Sequence, residues 1–68
     1  MPMINFESGQ LSDEVKKELI EKLTNVSSEI TNIPKELFFV LINEQSDDNI
    51  AVGGKTVKEL KEELGMQN

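Results

Sequence analysis

Leu37-Phe38-Phe39-Val40-Leu41-Ile42 is the stretch that decides the fold of this chain. The run is apolar throughout and does not alternate with polar residues, which is typical of a strand that is covered on both faces. It therefore predicts a strand over residues 37–42 that lies in the middle of a sheet.

A first strand and a long helix precede this apolar run. Met3-Ile4-Asn5-Phe6-Glu7 alternates roughly between apolar and polar residues and predicts a strand. Ser12 is a good helix N-cap, and Pro34 disfavours helical geometry before it, so we expect a helix that ends at about Asn32. A strand, a helix of this length and a second strand form a right-handed parallel β-α-β crossover.

The helix has an apolar side and a charged side. Its apolar residues recur at spacings of three, four and five and form one predicted stripe: Val15, Leu19, Ile20, Leu23, Val26, Ile30 and Ile33. The charged residues are predicted to form a solvated face on the other side: Lys16, Lys17, Glu18, Glu21, Lys22 and Glu29.

The last third of the chain predicts short elements. Residues 45–49 are polar and turn-forming, and residues 50–52 form a brief extended segment before Gly53-Gly54. Thr56 and Glu59 have the spacing of a capping box, and Gly65 ends the helix that follows. We expect one α+β domain over residues 1–68, in which a β-α-β unit with parallel strands is followed by a short C-terminal hairpin and helix.

Size makes self-association a folding requirement. A chain of 68 residues buries only about 60% of its unfolded surface, and this one has no cysteine for disulfide bonds. Two strands and one helix cannot cover both faces of the strand at 37–42. Another copy of the chain must supply the missing cover and complete the sheet.

Charge and composition exclude several classes of partner. The net charge of −6 argues against nucleic acid, whose recognition depends on clustered basic residues. No apolar run is long enough to span a bilayer and no export signal is evident, so we expect a cytoplasmic protein without a membrane partner. The absence of histidine and cysteine argues against a metal site. Gly53-Gly54-Lys55-Thr56 lacks the upstream glycine of a phosphate loop, since Asn49 holds that place, so no cofactor is expected.

Pro2 is the candidate catalytic residue. Removal of Met1, which a small second residue generally permits, would expose a secondary amine at Pro2. An apolar pocket would lower the pKa of that amine, because desolvation disfavours its charged form. A base that titrates near the working pH is what proton transfer beside a carbonyl needs.

Several features occur in one order from Pro2 to Lys55. They are Pro2 after the initiator, the Gly9 turn, the helix start Ser12-Asp13-Glu14, the strand end Ile42-Asn43-Glu44, and the close Asn49-Ile50-Ala51-Val52-Gly53-Gly54. In this order they resemble the 4-oxalocrotonate tautomerase family. The resemblance implies paired sheets in dimers, a homohexamer built as a trimer of dimers, and a cofactor-independent proline that shuttles a proton in keto-enol isomerisation.

The chain departs from that family at three functional positions. The best-known members carry an arginine before the helix-opening serine, another early in the second strand, and an aromatic residue before the paired glycines. Leu11, Phe39 and Ile50 hold these places here, with Gln10 as the alternative for the first if the loop register slips. All seven basic residues are lysines, so no arginine is present to bind a dicarboxylate or stabilise an enolate.

Two hypotheses follow from this comparison. The first is a tautomerase that acts on a small apolar or monoanionic enol or keto acid, with Pro2 as base and then acid in a pocket of Leu11, Phe39 and Ile50. Candidate hydrogen-bond donors that could replace the arginines are Gln10, Lys35 and Asn43. The second is a non-catalytic oligomeric relative that keeps the fold for binding or assembly.

Overall fold

A computed structural model describes residues 1–65 of the chain. The elements follow the predicted order, and two 3-10 turns flank the second strand. The strands and helices are β1 (Met3–Gly9), α1 (Asp13–Thr31), β2 (Phe39–Gln45), β3 (Ala51–Val52), β4 (Lys55–Thr56) and α2 (Val57–Glu63), with the 3-10 turns at Lys35–Leu37 and Asp47–Asn49.

Strand pairing confirms the β-α-β unit and the C-terminal hairpin. β1 and β2 are parallel neighbours in a register that runs from the pair Met3 and Phe39 to the pair Gly9 and Gln45. β3 and β4 pair antiparallel across Gly53 and Gly54, whose φ angles are 62° and 85°. Two successive positive φ values are what a two-residue hairpin turn requires, and glycine adopts them at little cost.

Local hydrogen bonds fix both ends of α1. The Ser12 hydroxyl accepts from the Val15 backbone N–H at 3.2 Å, as expected of an N-cap. Asn32 ends the helix in the left-handed conformation, with φ of 60°, and donates its N–H to the Ser28 carbonyl at 2.9 Å. The predicted start and end of the helix are confirmed.

The capping box of α2 is confirmed. The Thr56 hydroxyl accepts from the Glu59 N–H at 3.1 Å, and the Glu59 carboxylate accepts from the Thr56 N–H at 3.0 Å. Gly65 follows the helix with a φ of 70°. An ion pair of 2.9 Å between Lys61 and Asp47 holds α2 against the 3-10 turn that follows β2.

The predicted start of the second strand is wrong by two residues. Leu37 and Phe38 donate their backbone N–H groups to the carbonyl oxygens of Pro34 and Lys35, at 3.0 and 3.1 Å. These bonds close a 3-10 turn, so the two amides do not enter the ladder with β1. The strand therefore begins at Phe39.

The prediction that Lys16 lies on the solvated face of α1 is also wrong. Its ammonium group lies 2.9 Å from the carboxylate of Glu44 on β2, and its side chain is 30% exposed. Lys16 precedes Leu19 by three residues and Leu23 by seven, which places it on the same helix face as these two apolar residues. Its aliphatic stem can follow that face while its charged end reaches Glu44.

One chain leaves much apolar surface uncovered. No residue among 1–65 is fully buried. The radius of gyration is 15.6 Å, against about 11 Å expected for a compact chain of this length. On the sheet face formed by Met3, Phe39 and Leu41, these side chains are 57%, 49% and 45% exposed. Over residues 1–65, no helix is long and apolar enough to cross a membrane.

The apolar stripe of α1 is wider than the sheet that it packs on. Leu19 and Leu23 are partly covered, whereas Val15, Val26 and Ile30 are 49%, 55% and 75% exposed. A two-stranded sheet is about 5 Å wide between strand axes, which is narrower than a helix with its side chains. The helix therefore has apolar surface left over for contact with another molecule.

Candidate functional site

Pro2 lies at the amino end of the parallel sheet. Its carbonyl oxygen accepts a hydrogen bond from the Phe39 backbone N–H at 3.0 Å, which extends the β1–β2 ladder by one bond. Pro2 itself is partly exposed, and Met1 before it is 81% exposed. The structure thus brings two predicted site residues, Pro2 and Phe39, next to each other.

Lys35 belongs to the same end of the sheet. It opens the 3-10 turn Lys35–Leu37, and its carbonyl accepts from the N–H of Phe38, the residue before β2. Within residues 1–65, Lys35 makes no ion pair, while five of the seven lysines contact a carboxylate. Lys35 is therefore a cation near the amino end of β2 that no carboxylate among residues 1–65 pairs with.

Gln10, Leu11 and Ile50 lie at the opposite end. Gln10 and Leu11 follow the last residue of β1, and the seven residues of that strand span about 20 Å. Ile50 follows the 3-10 turn Asp47–Asn49, which lies beside Gly9: an Asp47 oxygen is 3.8 Å from the position of a Cβ on Gly9. A single chain therefore does not bring these three residues to its own Pro2.

Asn43 lies between the two ends. It is in β2, four residues after Phe39, and pairs in register with Glu7 of β1. Because side chains alternate along a strand, Asn43 shares the exposed sheet face with Phe39 and Leu41. Its amide is available on that face, about 13 Å along the strand from Phe39.

Glu44 makes contacts that the sequence analysis did not predict. Its two carboxylate oxygens accept from the Leu11 backbone N–H at 2.8 Å and from the Lys16 ammonium at 2.9 Å. The backbone bond to Leu11, and then the bond to Lys16, hold the pKa of Glu44 below its usual value. The same pair raises the pKa of Lys16, chiefly through its hydrogen bond to Glu44. The sequence shows an acidic residue at the end of an apolar strand, which could have suggested a structural contact. Its partners Leu11 and Lys16 are 33 and 28 residues away in sequence, so the sequence alone does not identify them.

The comparisons with known proteins identify the family. The tautomerase family, described as "Tautomerase enzyme", matches residues 2–60. The chain belongs to the tautomerase family. Its resemblance to the 4-oxalocrotonate tautomerases is thereby confirmed, and tautomerase chemistry is the activity of the family to which it belongs.

Curated relatives and a solved structure agree with this assignment. A "Probable tautomerase" of Bacillus cereus is 44% identical over 48 residues, which cover 71% of this chain and 79% of the relative. The 2-hydroxymuconate tautomerase of Bacillus subtilis is 36% identical over 50 residues, which cover 74% and 81%. The crystal structure of TomN, a 4-oxalocrotonate tautomerase homologue in the tomaymycin biosynthetic pathway, superposes with a TM-score of 0.84 at 27% identity, covering 90% and 95%.

The nitrogen of Pro2 is the group at the amino end of the sheet whose chemistry depends on the Met1–Pro2 peptide bond. A proline nitrogen released from its peptide bond has a lone pair that can take up one proton and return it. The ladder bond to Phe39 uses the carbonyl of Pro2 and does not involve its nitrogen. Across residues 1–65, no group of three or more acidic side chains is placed to hold a metal ion.

Proposed function

We propose that this tautomerase family member interconverts the keto and enol forms of a small apolar or monoanionic acid without a cofactor, with Pro2 as general base and then general acid. Membership of the family and the position of Pro2 carry the proposal. Pro2 is fixed at the sheet end by the Phe39 N–H, while Met1 is 81% exposed and open to an aminopeptidase. In the reaction the proline nitrogen removes a proton beside the carbonyl and then delivers it to another carbon or oxygen of the same substrate.

The substrate class follows from the residues around the proposed base. Leu11, Phe39 and Ile50 are proposed to line the pocket, and none of them can pair with a carboxylate. A dicarboxylate would therefore lose two charge-assisted contacts that are each worth about 1.5–3 kcal/mol. One carboxylate can be met by a lysine, and an aromatic or aliphatic body suits the apolar lining.

The pocket is proposed to form between copies of the chain. Leu11 and Ile50 of one copy lie about 20 Å from the Pro2 of that copy, so they can line a pocket only around the Pro2 of a neighbour. A homohexamer built as a trimer of dimers would satisfy this requirement and would also cover the apolar sheet face. On this proposal, the protein is active only when it is assembled.

A non-catalytic assembly or binding protein is the second candidate. The observation that favours it is the lack of any arginine, which removes the usual means of stabilising charge on the enolate oxygen. In this case the apolar pocket would bind a small molecule or remain as a relic of the fold.

The deciding experiment begins with the intact mass of the natively expressed protein, which should show that Met1 is absent. The tautomerisation of enol-phenylpyruvate is then followed for the wild type and for Pro2→Ala, with an expected loss of about a hundredfold, as for removal of a general base. A chain with one extra residue between Met1 and Pro2 is the matched control, because it keeps the proline ring and blocks its nitrogen. Retained Met1, or equal rates for all three proteins, would favour the non-catalytic candidate.

A further inference from the structure

The loop between β1 and α1 depends on one carboxylate from the far strand. Residues 10–12 have left the β1–β2 ladder, whose last pair is Gly9 with Gln45. The Leu11 N–H then donates to Glu44 Oε2 at 2.8 Å, a side-chain contact that spans 33 residues of sequence. Glu44 is thereby a direct link between the middle of this loop and β2.

The second oxygen of Glu44 holds the helix that follows the loop. Glu44 Oε1 accepts from the Lys16 ammonium at 2.9 Å, and Lys16 lies four residues after the N-cap Ser12. The side chains of Glu44 and Lys16 are 28% and 30% exposed, so the pair is partly shielded from solvent. Asp13 of α1 is the other charged group near the pair, 3.6 Å from Lys16 and fully exposed. Ser8, which faces Glu44 in the β1 register, is uncharged.

We propose that Glu44 is a positioning residue, which holds Gln10 and Leu11 where the pocket around the Pro2 of a neighbouring copy needs them. The inference rests on the proposed function, since the loop matters to catalysis only if it lines that pocket. Glu44 touches no reacting atom and acts through the backbone of Leu11. Each of its oxygens serves one side of the loop, so loss of the carboxylate frees the loop at Leu11 and at Lys16 together.

The expected effect is on substrate binding. A misplacement of about 1 Å in a lining loop can cost up to about a hundredfold in rate when substrate orientation suffers. Loss of the Glu44 carboxylate leaves the bond from the Phe39 N–H to Pro2 in place, and it changes only the part of the pocket that the loop of the neighbouring copy supplies. KM should therefore rise, because the substrate is oriented less well while the proposed base keeps its place in the sheet.

The test compares Glu44→Ala, Glu44→Gln and Glu18→Gln in the phenylpyruvate assay, with oligomeric state measured in parallel. Glu44→Ala should raise KM by about tenfold, within the range for a misplaced loop. Glu44→Gln keeps an oxygen that can accept from Leu11 but loses the charge for Lys16, so its KM should be intermediate. Glu18→Gln breaks the exposed pair of Glu18 with Lys22, which are 2.6 Å apart and more than one helical turn after the N-cap Ser12, and it should leave KM within about twofold of wild type.

A merely structural role gives a different result. If Glu44 only stabilised the fold, Glu44→Ala would reduce the amount of active protein, which lowers apparent kcat and leaves KM unchanged. Wild-type KM in Glu44→Ala, alongside activity that depends on Pro2, would overturn the positioning role and leave the proposed function intact. An absence of any Pro2-dependent activity in the wild type would instead overturn the proposed function, and this inference with it.

Discussion

The Phe39 backbone N–H donates to the Pro2 carbonyl at 3.0 Å, one position before the first pair of the β1–β2 register. This bond ties the proposed base to the start of the strand that carries most of the apolar sequence. It also places the Phe39 backbone beside Pro2. The amino end of the sheet is therefore ordered by a backbone contact that does not depend on the side chains there.

Lys35 should supply the charge that the missing arginines would have provided. It lies in the turn that leads into Phe39 and makes no ion pair within residues 1–65. We expect Lys35→Gln to raise KM for enol-phenylpyruvate by about tenfold, the lower part of the range for a charge-assisted hydrogen bond. The measurement is steady-state kinetics at low ionic strength, where exposed charges are least screened.

Two controls isolate the charge of Lys35. Lys17 is another exposed lysine, on α1, and it makes no ion pair over the described part of the chain. Lys17→Gln should therefore leave KM unchanged. The methyl ester of phenylpyruvate lacks the carboxylate, so Lys35→Gln should not alter its KM. An equal rise in KM for the acid and the ester would mean that Lys35 does not bind the carboxylate of the substrate.

The sheet face of Met3, Phe39 and Leu41 should be an interface between copies. Leu41→Lys places a charge on this face, where the wild-type leucine is 45% exposed in one chain. Loss of one buried leucine costs about 1.5–3 kcal/mol, so dissociation should become easier by at least about tenfold. Sedimentation velocity and circular dichroism across a dilution series should show smaller, partly unfolded species for this variant.

Asn25→Lys is the matched control for the assembly prediction. Asn25 is an exposed residue of α1 and makes no side-chain hydrogen bond or ion pair over residues 1–65, so the same charge there should leave assembly at the wild-type level. The idea of a covered sheet face fails if Leu41→Lys sediments as the wild type does. It fails equally if the dissociated wild-type chain keeps its circular dichroism signal.

The order of elements could be predicted from the sequence because local patterns carry it. Ser12 and Pro34 bracket the long helix, paired glycines mark the hairpin, and the Thr56 and Glu59 spacing marks the last helix. Each of these signals acts within a few residues of the element that it defines. The start of β2 was predicted two residues too early. The backbone N–H groups of Leu37 and Phe38 donate to a 3-10 turn, and the apolar pattern of the sequence does not show this.

The candidate site was less predictable because its contacts are distant in sequence. Glu44 meets Leu11 only once β1 and β2 are paired in their actual register, and Lys16 joins them only when α1 lies on that sheet. Lys16 was predicted to lie on the solvated face of α1 because its partner Glu44 is distant in sequence. A charged residue without a known partner is normally expected to face solvent. The predicted pocket of Leu11, Phe39 and Ile50 stays a prediction, because one chain holds them at both ends of the sheet.

Acid should destabilise the protein through Glu44, in a way that salt does not remove. The pKa of Glu44 is lowered from 4.5, chiefly by the Leu11 N–H, so its contribution to stability is present above that value and is lost as the pH falls below it. The pKa of Glu18 is lowered by Lys22 alone, across an exposed pair that salt screens.

At a fixed chain concentration, denaturant midpoints between about pH 5 and pH 3 should fall less steeply for Glu44→Gln than for wild type. At about 1 M salt this difference should persist, while any difference for Glu18→Gln should vanish. Identical acid dependence of wild type and Glu44→Gln would show that the Leu11 contact does not hold the carboxylate in its charged form.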